Sequence, residues 1–148
     1  MEMYRKDEDD NFNPTAHYIS RKRLNQLTVE ARKNAALIII DDPWFNNRMK
    51  EKKASAVTYG DVIAFRKNIT ISDALEETYH FKQNLHELNN DKPKELREII
   101  NEIDAKEYLL KVANKYKIPR SETELTKRQL ENYKNDLQRW YENNDKSD

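Results

Sequence analysis

The chain has a single glycine, Gly60, among 148 residues. It stands between Ala54-Ser55-Ala56-Val57-Thr58-Tyr59 and, after Asp61, Val62-Ile63-Ala64-Phe65. Both flanking runs carry the β-branched and aromatic residues that suit a pleated surface. A two-residue hairpin turn of type II′ needs positive φ at its first position, which glycine adopts without a Cβ clash. A chain that places its only glycine there is predicted to form a β-hairpin over 54–65. Its edge strand would be available to hold an extended peptide by strand addition.

A second β element is expected upstream. Ala35-Ala36-Leu37-Ile38-Ile39-Ile40 is continuously apolar and stops at Asp41-Asp42-Pro43. Its shortness and its β-branched content predict a buried central strand. Pro43 to Lys53 reads as a short helix or loop anchored by Trp44, Phe45 and Met49. The two aromatics are expected to pack under the sheet rather than to form an exposed patch.

The rest reads as helix. Ile19, Leu24, Leu27 and Ala31 form a helical stripe, with Thr28 interrupting it or capping a second turn. Thr70 and Asp73 have the spacing of a capping box and open a helix to about Leu88. Asn89-Asn90-Asp91-Lys92-Pro93 breaks it. A helix from about Pro93 to Tyr116 has Leu96, Ile99, Ile100, Ile103, Leu110 and Ala113 on one face. After Ile118-Pro119-Arg120-Ser121, Thr126 and Gln129 make another capping box for a last helix striped by Leu130, Tyr133, Leu137 and Tyr141. The fold class is therefore α+β: a small, mostly antiparallel sheet packed by helices, with a three-helix C-terminal half. Residues 1–16, centred on Asp7-Glu8-Asp9-Asp10, read as a flexible acidic arm. Residues 17–143 read as one domain and 144–148 as a polar tail.

Composition narrows the functional classes. Apolar and charged residues each make up 36% of the chain, a balance that suits long solvated helices. Lys+Arg and Asp+Glu are equal at 27 each, so no overall field draws nucleic acid or anionic lipid. Arg21-Lys22-Arg23 reads as a solvated helix face. Without cysteine, thiolate metal sites and cysteine nucleophiles are excluded, and a reducing, cytoplasmic setting fits. The run 35–40 is too short to cross a bilayer, and Met1-Glu2-Met3-Tyr4 opens no signal-peptide pattern. Neither a glycine-rich phosphate loop nor a serine elbow motif occurs.

What remains is a carboxylate–histidine constellation. Glu76 and His80 are four apart on a predicted helix, so their side chains share a face. As an ordinary helical pair they would contribute about 0.3–0.5 kcal/mol. Glu102 is flanked on its own helix face by Ile99, Ala105 and Leu109, where a bare charge is costly. A metal, a lysine or a protonated partner should compensate it, and Lys106 at i+4 is the ordinary choice. Asp104 is a candidate for orienting an imidazole from the outer shell. Tyr79 reads either as a core residue or as an oxyanion donor. His86 lies about 120° around the helix from His80, as a solvated or capping residue. His17, in the arm region, has no site role.

Leu75-Glu76-Glu77-Thr78-Tyr79-His80 and Asn101-Glu102-Ile103-Asp104-Ala105 together resemble the two motifs of gluzincin metallopeptidases. In that class the first motif is His-Glu-x-x-His and the second helix carries a Glu-x-x-Asp or Glu-x-Glu-Ala pattern. The likeness extends to small intracellular peptidases that cleave phage repressors. Leu75 to Gln83 is also similar to C-terminal domains of phage minor head proteins and phage-borne toxins. The resemblance covers about 19–137. It implies His80 and Glu102 as metal ligands, Glu77 as general base and Tyr79 as an accessory catalytic group. Glu76 stands where the family has histidine; as a third ligand it gives one imidazole and two carboxylates, a set that suits zinc but also Mn or Mg. The implied function is a phage or mobile-element metal-dependent hydrolase of peptide type, acting on a protein or peptide. The alternatives are a non-catalytic interaction or inhibitor protein on the same scaffold, and a toxin-like nuclease, against which the neutral charge weighs.

Overall fold

The computed structural model describes residues 2–6, 11 and 13–144. Asp7 to Asp10 of the acidic arm and the tail 145–148 lie outside them. The chain divides into two compact units, Met1–His86 and Glu87–Asp148.

The first unit is built on a mixed sheet of β1 (Glu2–Lys6), β2 (Leu37–Ile40), β3 (Ala54–Tyr59) and β4 (Val62–Phe65), in the order β1-β3-β4-β2. β3 and β4 form the predicted hairpin, with Tyr59 opposite Val62. Gly60 has φ +61 while Asp61 is not among the positive-φ residues, as a type II′ turn requires. β1 pairs antiparallel with β3, so part of the presumed arm is a strand, and its Met3 is buried. β2 pairs parallel with β4.

Two expectations change here. The 35–40 run is not central: β2 ends the strand order, and Leu37 is 56% exposed. Its apolarity on both faces has another cause. Ile38 and Ile40 pack against one core cluster and Ile39 against another, so the strand is covered above and below although one lateral side is open. Conversely, the hairpin offers no edge, because β3 lies between β1 and β4, and β4 between β3 and β2.

Helices cover both faces of the sheet. On one side lie α1 (Arg21–Leu27), α2 (Val29–Lys33) and α4 (Ile71–Leu85). Ser20 caps α1 by accepting from Arg23 N, and Thr28 separates α1 from α2 while donating Oγ1 to Leu24 O at 2.9 Å. Leu24, Ala31, Ala56, Ile63, Phe65, Ile69, Ala74 and Phe81 make the core on this side. On the other side α3 (Pro43–Glu51) starts from Asp42, which accepts from Phe45 N at 3.1 Å, with proline in the first turn. Met49 is fully buried there with Ala54, Val57 and Ala64, and Phe45 packs against them. Trp44, expected under the sheet, is 63% exposed; it sits edge-on to Phe45 and beneath Arg48. One turn of α3 can aim only part of its aromatic pair at the sheet, and Phe45 takes that place.

The capping box of α4 is complete. Thr70 Oγ1 accepts from Asp73 N at 3.0 Å, and Asp73 Oδ2 accepts from Thr70 N at 2.9 Å. α4 stops at Leu85, with His86 as an exposed C-cap and positive φ at Glu87 and Asn89.

In the second unit α5 (Lys94–Val112) packs with α6 (Arg120–Asn144). Ile99, Ile103 and Leu130 form its core, joined by Leu110, Tyr133, Leu137 and Trp140. α6 begins at Arg120, well before the Thr126-Gln129 signal. Pro119 O accepts from both Glu122 N and Thr123 N, so the proline starts the helix instead of ending a loop. Thr126 is interior and donates its hydroxyl to Glu122 O at 3.0 Å, the back-bond a mid-helix threonine makes. No helix among the described residues is long and apolar enough to cross a membrane.

Candidate metal centre

α4 is unusual in burying its polar residues along with its apolar ones. Glu76, Glu77 and His80 each have 0% of their surface exposed, and Ser72, Asp73 and Gln83 are buried with them. A buried carboxylate must find donors, and the first unit supplies them from β3. Ser55 Oγ donates to Asp73 Oδ1 at 2.7 Å. Thr58 Oγ1 lies 3.0 Å from the Glu77 carbonyl and 3.3 Å from Glu77 Oε1. Ala56 and Thr58, two apart on β3, share the α4 side, where the Thr58 hydroxyl meets Glu77, and Ser55 falls at the register irregularity between β1 and β3.

His80 is oriented from its own helix. Its Nδ1 is 2.7 Å from Gln83 Oε1, and in the tautomer with the proton on Nδ1 that nitrogen donates to the amide oxygen and Nε2 is the ligand atom. That is how metal-binding imidazoles are commonly prepared. Gln83 thereby fills the orienting role that the sequence suggested for Asp104. Asp104 itself is half-buried, and its carboxyl is pushed above the ordinary value by burial and then by the Glu107 charge.

Glu102 is buried on α5 among Ile99, Ala105 and Leu109. Two groups of the second unit compensate it. Lys106 Nζ is 3.5 Å from Oε1, and Tyr133 OH donates to Oε2 at 3.0 Å. Lys106 is 1% exposed and also lies over the Tyr133 ring, 5.5 Å from its centroid. Nearby on α5, Asn101 Oδ1 accepts from Asn89 Nδ2 at 2.8 Å, which ties the helix to its preceding turn.

Glu76 and His80 on α4 and Glu102 on α5 are each buried and are of the residue types that could hold a metal ion. The donor chemistry fits: an imidazole with a directed lone pair and two carboxylates. It does not choose among zinc, Mn and Mg. Lys106 counts on the other side, because a dication at Glu102 would meet a resident ammonium. Of the remaining sequence candidates, Glu77 is tied to Thr58, and Tyr79 is half-buried on the same helix. His17 and His86 are exposed, as expected.

Sequence reasoning missed Thr58, Gln83 and Tyr133. Gln83 was within reach, since an i+3 residue shares the face of His80. Thr58 depended on the register of the hairpin against α4, and Tyr133 on the pairing of α5 with α6. No family model, curated protein or solved structure matches the chain.

Proposed function

We propose that the chain is a zincin-like metal-dependent hydrolase of peptide type, in which Glu76, His80 and Glu102 hold a divalent cation. The observation that carries this reading is the fully buried pair Glu76 and His80 on α4, with Gln83 Oε1 set against His80 Nδ1 so that Nε2 would be the ligand atom; a buried carboxylate on α5, Glu102, supports it. The cation, when bound, would supply Lewis-acid polarisation and an acidified water. Glu77 adjoins Glu76 on α4 and would take the proton as general base. Its carboxylate is pre-positioned by Thr58, which limits the rotamers it can sample. Gln83 would keep the imidazole from turning. With the hairpin enclosed in the sheet, the edge strand β2 takes over as the candidate for strand addition by an extended peptide.

A second reading is a non-catalytic interaction protein of phage or mobile-element origin that keeps this scaffold. Two observations favour it: Lys106 already neutralises Glu102, and Glu77 is fully buried. Elemental analysis of protein purified without chelator separates the readings, on wild type, His80→Ala and Glu77→Gln. The hydrolase reading expects one equivalent of metal in wild type and Glu77→Gln, loss in His80→Ala, and cleavage of a quenched-fluorescence peptide library by wild type alone. Metal-free wild type, or equal metal in wild type and His80→Ala, would overturn it.

A further inference from the structure

We propose that Lys106 is a resident counter-ion that competes with a divalent cation for Glu102, so that the chain sets its own metal affinity with a built-in ammonium. The inference rests on the metal-binding reading above and concerns what regulates that same group. A lysine is among the residues least often fully buried, because its ammonium is strongly hydrated. Lys106 is nonetheless 1% exposed. It is held there on two sides: Glu102 Oε1 lies 3.5 Å away, and the ring of Tyr133 lies beneath Nζ at 5.5 Å. Tyr133 also donates its hydroxyl to Glu102 Oε2, so one tyrosine serves both members of the ion pair. An ammonium and a dication seek the same electrons of the same carboxylate. In a poorly solvated setting their mutual repulsion is weakly screened. Binding of the cation therefore requires Lys106 to give way from Glu102 Oε1 or to tolerate a second positive charge beside it. In the absence of metal, Lys106 joins Tyr133 in making a buried Glu102 tenable.

This assigns Lys106 a positioning role that a simple structural ion pair would not have, and metal affinity reads the difference. Chelator-stripped wild type, Lys106→Met and the double variant Lys106→Met/Glu102→Gln are titrated with zinc and with manganese by calorimetry. Their melting is followed with and without the ion. Methionine keeps the length and apolar stem of lysine but removes the charge. Lys106→Met is expected to bind zinc more tightly by about ten-fold or more, since a repulsive unit charge is gone. It should melt below wild type when metal-free and regain the difference when loaded. The double variant should recover metal-free stability and lose the tightened binding. Should Lys106→Met be unfolded without metal, the zinc concentration that restores its far-UV circular dichroism reads the same affinity. Unchanged or weaker zinc binding by Lys106→Met, or no refolding at zinc levels that saturate wild type, overturns the role of Lys106 and leaves the metal reading intact. If neither protein binds either ion, both fall. Tight binding by Lys106→Met alone supports the competition directly.

Discussion

At the scale of single residues, the chain is organised around carboxylates that it buries and then satisfies one by one. Asp73 is held by Ser55 and Thr70, Glu77 by Thr58, and Glu102 by Lys106 and Tyr133. Each donor sits on a neighbouring element or about one helical turn away. Such sites are sensitive to loss of a donor but tolerant of changes that keep it. Thr58 gives the cleanest test because valine matches its shape. Thr58→Val should lower stability to urea by about 1–3 kcal/mol, the cost of removing a donor from a buried acceptor. Thr58→Ser keeps the hydroxyl and should lose less. Equal losses in the two variants would show that the threonine methyl, and not its hydroxyl, is what the site needs.

At the scale of elements, local signals in the sequence decide where the chain turns and starts, and tertiary surroundings decide the rest. The hairpin was legible because Gly60 is alone and its φ of +61 is what the turn demands. A Cβ at Gly60 would meet nothing within 4 Å, so Gly60→Ala should cost only the backbone term, about 1–2 kcal/mol in thermal or urea unfolding. A larger loss would point to a packing role that the open space around Gly60 does not provide. The start of α4 was equally legible from Thr70 and Asp73. Thr70→Ala should cost about 1 kcal/mol, while Thr70→Ser should remain near wild type in the same measurement. Two features stayed hidden for physical reasons. An apolar run reports cover on its two faces and says nothing about its lateral neighbours, so β2 could not be placed at the edge from its composition. Thr126 followed by Gln129 satisfies a start pattern that a helix interior also permits, and Pro119 set the true start of α6. Around the candidate residues, the burial of Glu102 could be read from its apolar neighbours, and Lys106 was its ordinary partner at i+4. Gln83, Thr58 and Tyr133 required register and helix pairing, which spacing alone does not carry.

At the scale of the whole molecule, a cation held by the folded chain alone must appear as stability. The unfolded chain scatters Glu76, His80 and Glu102 along the sequence and offers a divalent ion only weak, separate ligands. Linkage then adds about 2.7 kcal/mol to the folded state when the free ion stands at 100 times its dissociation constant. For a chain of this length that corresponds to a rise in melting temperature of roughly 5–10 °C, at about 2–4 °C per kcal/mol. The dependence on ion concentration should be logarithmic and saturate nowhere, which distinguishes specific linkage from a general salt effect on surface charges. Thermal scans of wild type in excess chelator and in rising zinc or manganese should show this climb. His80→Ala should melt at one temperature throughout, because the one imidazole of the set is gone. A climb of the same size in His80→Ala would place the stabilising ion on the acidic surface of the chain and not at the Glu-His-Glu group.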